Sequence, residues 1–225
     1  MSIFLDTSKI ELVKKYLDLG VIKGVTTNPT ILKKNGTANN LIELEKFSKE
    51  LSELINPLPL SIELFTNDFK EMITQALEFS KWAKNINIKV TIHGPKYEDF
   101  NLEVINILEN KEDIRVNVTA IMSAQQALLA LYAGASYVSI FGGRINNIGH
   151  SSNDEIKKTR LLIDKFNFKG KIIVGSVREV SNITDWLLSG ADIITVAPEV
   201  LKVMLNHPYT KETVMQFLDD SKNIF

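Results

Sequence analysis

The sequence predicts a single-domain (β/α)8 TIM barrel covering residues 1–225, and three observations carry that expectation. Eight short apolar runs rich in β-branched residues alternate with longer segments of helical period. The helix-to-strand junctions repeat: Ala133-Gly134-Ala135-Ser136-Tyr137-Val138 is echoed by Ser189-Gly190-Ala191-Asp192-Ile193-Ile194, and more loosely by Leu19-Gly20-Val21. No Pro/Gly/Ser-rich linker or low-complexity block divides the chain. Short strands buried on both faces and joined by helices are what a closed parallel sheet requires. A doubly wound open sheet is the alternative arrangement. It would bind its ligand at a switch-point crevice, and no Gly-x-Gly-x-x-Gly follows the first strand.

In chain order the strands are expected at residues 3–6, 24–28, 60–64, 86–90, 114–119, 137–141, 171–176 and 192–196. The segments between them have helical stripes, such as Leu12, Val13, Tyr16 and Leu17, or Phe69, Met72, Ile73 and Leu77. Ser8 with Glu11, and Ser152 with Glu155, have the capping-box spacing that satisfies the first free helix N–H groups. Helices over 123–133 and 180–189 are expected to stop at Gly134 and Gly190, where a left-handed cap favours glycine. A last amphipathic helix over about 211–221 places Val214, Phe217 and Leu218 on one face. Trp82 and Trp186 fall on helical stripes and read as packing residues.

Composition narrows the function. Lys plus Arg number 26 against 27 Asp plus Glu, a formal net charge of −1, which argues against a general nucleic-acid or anionic-membrane binder. The absence of Cys removes disulfide scaffolds, thiol catalysis, Fe–S clusters and thiolate zinc sites. Three isolated histidines, His93, His150 and His207, leave little for a histidine metal site. The start MSIFLDTSK has no basic region followed by a long apolar stretch, and no run approaches the ~18 apolar residues of a membrane span. The expectation is a cytoplasmic protein without metal or cofactor, with neither nucleic acid nor membrane as partner.

The informative residues are polar ones inside the strands. Side chains two apart share a face. In Ile86-Asn87-Ile88-Lys89-Val90 the aliphatics share one face and Asn87 with Lys89 the other. Ser61 pairs with Glu63 in the same way, Asn117 with Thr119, and Thr26 with Asn28. The first strand ends on Asp6, and Ser139 and Ser176 hold late positions of strands six and seven. The outer faces of barrel strands pack on helices, so this set points into the barrel, near the C-terminal ends where barrel enzymes place their chemistry. Two carboxylates and an amine buried together are costly unless they serve one another or a ligand.

Lysine sits badly inside a sheet, because burial disfavours an ammonium. A fixed, unprotonated amine is a nucleophile toward carbonyls, which is Schiff-base chemistry for Lys89. Glu63 and Thr119 on flanking strands are placed to move the protons of that chemistry, and Asp6 is a second carboxylate for a different proton. The chain has four arginines, and Arg144 and Arg178 come directly after strands six and seven. With the Ser176 hydroxyl and the Gly142-Gly143 backbone they suit a phosphate dianion. The lysine doublets 14–15, 33–34 and 157–158 read as solvated helix faces.

Leu5-Asp6-Thr7-Ser8, Gly24-Val25-Thr26-Thr27-Asn28-Pro29-Thr30, Lys89-Val90, Asn117-Val118-Thr119-Ala120, Ser139-Ile140-Phe141-Gly142-Gly143-Arg144 and Gly175-Ser176-Val177-Arg178 together resemble the transaldolase family. More narrowly they resemble the short transaldolases that group with fructose-6-phosphate aldolase. The resemblance runs from Asp6 to His207-Pro208-Tyr209-Thr210. It implies a (β/α)8 barrel and metal-independent class I aldol chemistry on sugar phosphates, as in the pentose phosphate pathway. By resemblance Lys89 is the Schiff-base lysine, Asp6 takes the C4 hydroxyl proton, and Glu63 with Thr119 handle protons through a water. Asn28 and Ser139 hold the dihydroxyacetone hydroxyls, with Thr26 and Phe141 among the substrate-binding residues; Arg144, Ser176 and Arg178 grip the phosphate. Glu63 and Phe141 match the transferring members, where the aldolases tend to carry Gln and Tyr.

Three positions depart from the family pattern: Thr91 where Pro is usual, Ile140 where Pro is usual, and Gly142-Gly143 where a bulkier residue precedes the arginine. The resemblance also implies a homo-oligomer, pentamer or decamer, assembled through the C-terminal helix. Three functions are weighed: a transaldolase, an aldolase releasing free dihydroxyacetone or a paralogue acting on another sugar phosphate, and a non-catalytic sugar-phosphate-binding barrel.

Overall fold

A computed structural model describes residues 1–222 and 224. Eight strands close into a barrel in sequence order, every neighbour parallel, with the last strand paired to the first. They are β1 (Ser2–Asp6), β2 (Val25–Thr26), β3 (Leu60–Glu63), β4 (Ile86–Thr91), β5 (Val116–Ile121), β6 (Tyr137–Phe141), β7 (Lys171–Gly175) and β8 (Ile193–Val196). Around them lie α1 (Ile10–Asp18), α2 (Pro29–Asn35), α3 (Leu41–Ile55), α4 (Phe69–Phe79), α5 (Phe100–Asn110) and α6 (Ala124–Tyr132). The ring continues with α7 (Gly142–Asn147), α8 (Ser152–Phe166), α9 (Ser181–Leu188) and α10 (Pro198–Leu205), and α11 (Pro208–Ser221) follows them.

The outward strand residues do the main packing. Leu5, Val25, Leu60, Ile62, Ile88, Val116 and Val138 are buried against helix residues such as Val13, Leu51, Met72, Phe79 and Leu108 in one continuous cluster. Inside the barrel a separate small cluster of Phe4, Ile173 and Ile193, with Tyr137 against it, occupies the end where those strands begin. Gly24 lets the Phe4 ring lie flat there, since a Cβ at that position would sit 2.7 Å from it. Above this plug the interior is polar.

The three helix–Gly–strand junctions form as expected, with Gly20, Gly134 and Gly190 at φ 71°, 103° and 109°. Two caps differ from expectation. At α1 the N-cap is Lys9 without a side-chain bond, so Ser8 and Glu11 do not make a capping box. Ser8 Oγ instead lies 2.6 Å from Thr37 Oγ1 and accepts from Asn35 Nδ2, tying the first loop to the end of α2. At α8 the cap is Ser151, which accepts from the Asp154 amide. Ser152 is buried one residue further on and accepts from Trp186 Nε1 at 2.8 Å, while the Glu155 carboxylate takes the Ala124 amide. Tertiary partners outbid the local pattern in both places.

The second strand is shorter than the expected 24–28. Pro29 forces the preceding residue to be extended, and Asn28, at φ −159°, leaves the ladder to cap α2. Residue 176 likewise lies beyond its strand, at φ 61°. The final helix begins at Pro208, earlier than expected, and buries none of its residues.

Candidate active site

At the C-terminal ends of the strands the barrel opens into a cavity of about 370 Å³. Asp6, Glu63, Lys89, Thr119 and Ser139 reach it from β1, β3, β4, β5 and β6. Thr26 on β2 lines it too, with Asn28 and Ser176 just past β2 and β7, and Phe141 with Arg144 at the mouth. Arg178 is the one anticipated residue not brought to the cavity wall. Its stem passes close to Gly143, but Arg178 is exposed and its amide donates to Asn182 Oδ1.

Lys89 is 6% exposed, and two of its three ammonium donors are engaged. Nζ lies 2.9 Å from Glu63 Oε2 and donates to the Thr27 carbonyl at 2.9 Å. The ladder places it for this: Glu63 and Lys89 are Cα partners across β3 and β4, and Lys89 is in turn the partner of Asn117 on β5. Glu63 is the base nearest the amine, and the third donor direction is left for the cavity.

Asp6, the last residue of β1, lines the same cavity. Thr26 Oγ1 donates to its Oδ1 at 2.7 Å, and Thr195 Oγ1 is 2.6 Å from Thr26 Oγ1. A hydroxyl has one proton, so with Asp6 ionised Thr195 donates to Thr26 and Thr26 to the carboxylate. Burial pushes the Asp6 carboxyl above its ordinary value; the Lys89 charge and the Thr26 hydrogen bond pull it back, and the Glu63 charge adds to the rise. The result is a carboxyl that binds its proton more firmly than an aspartate in water.

Thr119 stands where β5 bulges: the β5–β6 register shifts between Val118 and Ile121, and Ala120 takes φ 60°. Bulges next to functional sites re-aim side chains. The buried Thr119 Oγ1 has no protein hydrogen-bond partner and lines the cavity. Asn28 divides its amide between two tasks, since Oδ1 accepts from the Ile31 amide at 2.9 Å while both Nδ2 protons and the second oxygen lone pair remain for a ligand.

The mouth opposite α2 is built on the glycine pair. A Cβ at Gly142 would lie 2.6 Å from the Trp186 ring, and one at Gly143 would overlap the Ser176 carbonyl. Two glycines therefore seat the first turn of α7 on Trp186 and the Ser176 turn, a matter of close packing rather than a loose loop. The Arg144 guanidinium then lies over the Phe141 ring, 5.1 Å from its centroid. The other two family departures are quiet: Ile140 is fully buried, and Thr91 continues β4, its carbonyl and hydroxyl taking the Asn101 amide.

The sequence reading missed Thr195 as a site residue, along with Thr30 and Ile31 of the first turn of α2. A single Thr in Ile193-Ile194-Thr195-Val196 looks like core; its only signal is that it shares the inward face with Ile193. Asn117 was seen as an inward polar residue without a role, and it too lines the cavity. Among the described residues no three His, Asp or Glu side chains converge in a metal-ligating cluster.

An eight-fold parallel barrel with a buried lysine, two carboxylates and the unpartnered Thr119 hydroxyl at its C-terminal mouth has the layout of a TIM-barrel enzyme. Residues 3–225 match the family model described as Transaldolase/Fructose-6-phosphate aldolase. A Carboxydothermus hydrogenoformans protein named "Probable transaldolase" is 40% identical over 98% of this chain and 97% of its own length. A Lactiplantibacillus plantarum protein of the same name is 36% identical over 99% of this chain and 97% of its own. Among solved structures, thiamine phosphate pyrophosphorylase from Pyrococcus furiosus superposes with a TM-score of 0.61 at 13% identity, covering 87% of this chain and 85% of that one, a likeness of fold alone. The chain belongs to the transaldolase/fructose-6-phosphate aldolase family.

Proposed function

We propose that the protein is a transaldolase that moves a dihydroxyacetone unit between sugar phosphates through a Schiff base on Lys89. The observation that carries this is the buried Lys89 amine at the cavity floor, 2.9 Å from the Glu63 carboxylate. Glu63 takes a proton from the ammonium, and the freed amine adds to C2 of a ketose phosphate such as fructose 6-phosphate. The carbinolamine loses its hydroxyl as water, protons passing through Glu63 and Thr119, and an iminium remains. Asp6 removes the C4 hydroxyl proton, the C3–C4 bond breaks, and its electron pair moves into the iminium to give an enamine. An aldose phosphate leaves; a second one takes up the enamine carbon, Asp6 returns the proton, and water then adds to the iminium so that the carbinolamine collapses, freeing the new ketose phosphate and the Lys89 amine. Asn28 and Ser139 hold hydroxyls of the three-carbon unit, beside Thr26, while Arg144 and Ser176, with Arg178 at longer range, face the phosphate.

Transfer rather than release is favoured by Phe141, which brings no hydroxyl to the mouth for a water that would protonate the enamine. Borohydride trapping with fructose 6-phosphate, followed by peptide mapping, tests the Schiff base, and no added mass on Lys89 overturns it. Stoichiometric free dihydroxyacetone from fructose 6-phosphate without an acceptor would make the enzyme an aldolase instead. The setting is carbohydrate metabolism in the cytoplasm; among the described residues no helix is long and apolar enough to cross a membrane. Copies of the chain associate through α11, whose Val214, Met215, Phe217 and Leu218 are all exposed in the single chain.

A further inference from the structure

Behind the cavity wall runs a chain of hydrogen bonds with a single direction. Ser139 Oγ donates to Asn117 Oδ1 at 2.6 Å, and Asn117 Nδ2 donates to Ser61 Oγ at 3.1 Å. Ser139 and Asn117 line the cavity, whereas Ser61 is fully buried below it. Each hydroxyl has one proton to give, so the Ser61 proton must go onward to another acceptor. Beside Ser61 in the ladder stands its Cα partner Asn87, on the inward face of β4 and two residues before Lys89. Asn87 is 0% exposed, and neither Oδ1 nor Nδ2 has a protein partner. A buried amide with both ends unmatched is unfavourable, and internal water is the usual remedy where several polar groups face one another.

We infer that Asn87 and Ser61 form an internal water site beneath Lys89, and that this water, as the acceptor of the Ser61 proton, permits the direction in which the Ser139 hydroxyl points. The water accepts the Ser61 proton and is held by the Asn87 amide. The Ser61 oxygen then receives from Asn117, so Asn117 turns Nδ2 down and Oδ1 toward Ser139. Ser139 gives its proton to that oxygen and offers only lone pairs to the cavity, which suits a substrate hydroxyl. With Asn117 turned over, Nδ2 would donate to Ser139, and Ser139 would present a proton, which suits a carbonyl or phosphate oxygen. Asn87 is thus a positioning residue, holding the acceptor that lets Ser139 keep this hydrogen-bonding sign. The water site stands on geometry alone; its effect on the substrate rests on the transaldolase reading, in which Ser139 meets a hydroxyl.

Two measurements test this. A high-resolution crystal structure of the wild-type protein should show a water within hydrogen-bond distance of the Asn87 amide and Ser61 Oγ, and Asn87→Leu should lose it. In the transfer assay Asn87→Leu should raise KM for fructose 6-phosphate roughly tenfold, about one neutral hydrogen bond, with a smaller change in kcat. Asn87→Ser, which keeps a polar group and makes room for water, should recover most of that loss and also serves if the leucine variant does not fold. No density at the site in the wild type overturns the inference. So does Asn87→Leu with unchanged KM and a raised Tm, the behaviour of an amide that merely lacks a partner. Failure of the transaldolase reading looks different: no adduct on Lys89 with a ketose phosphate, with the water still in place.

Discussion

With its carboxyl held deep in the barrel mouth, Asp6 keeps its proton to a higher pH than an aspartate in the unfolded chain, and stability should record this. A raised folded-state value means that the group's contribution is fully present below the unfolded value of 3.8 and is lost as pH rises through the folded one. Asp6→Asn keeps an acceptor for Thr26 and removes the charge. Its Tm should match the wild type near or below the unfolded value and exceed it increasingly at higher pH; a gap independent of pH would contradict the burial argument. Lys89→Ala should lower turnover by several orders of magnitude with the circular dichroism spectrum retained, and residual activity near wild type would rule out the Schiff base. Arg144→Ala should raise KM for phosphorylated sugars about tenfold to a hundredfold, the loss of one charge-assisted contact, and an unchanged KM would remove the phosphate role. The strand-borne residues were legible because two-residue alternation alone puts Glu63, Lys89, Asn117 and Thr119 on the inner face. Arg178 was not, because its place depends on the left-handed turn at Ser176, which no periodicity announces. Thr195 was hidden among aliphatics, where a lone hydroxyl looks like core.

At the scale of elements, helix α7 depends on a backbone-to-backbone approach. Gly143→Ala would drive a methyl group into the Ser176 carbonyl, and the neighbour is main chain that cannot swing aside. A loss of about 1–3 kcal/mol is expected from equilibrium denaturation, together with weaker binding of sugar phosphates, since Arg144 rides on the same turn. Strand order and the glycine stops were readable because they follow from local period and backbone conformation. The caps of α1 and α8 were not: Ser8 and Ser152 are claimed by Asn35 and Trp186, partners 27 and 34 residues away. Local rules predict the supply of hydrogen-bonding groups, and tertiary packing decides their use. Asn28 meets both demands, capping α2 with its oxygen while it lines the cavity.

For the molecule as a whole, seven of the eight strands place a polar group at the open end and the turn after the other adds Ser176, so the site exists only when the ring is closed. Helix α11 lies outside that ring and buries nothing of its own, so the barrel should fold without it. Removing the chain from residue 207 onward should leave the spectrum and thermal transition of the barrel nearly intact while lowering the mass measured by light scattering to that of a monomer. Retention of the full-length mass would remove α11 from the assembly. The plug of Phe4, Ile173, Ile193 and Tyr137 has a consequence of another kind. It stoppers the barrel at one end, so the pocket is a cup with a single rim, and whatever enters must leave by the same opening. A donor sugar and an acceptor sugar then cannot pass each other. The first aldose phosphate departs before the second arrives, and double-reciprocal plots at several acceptor concentrations should be parallel lines; lines that converge would mean that both sugars occupy the cup at once.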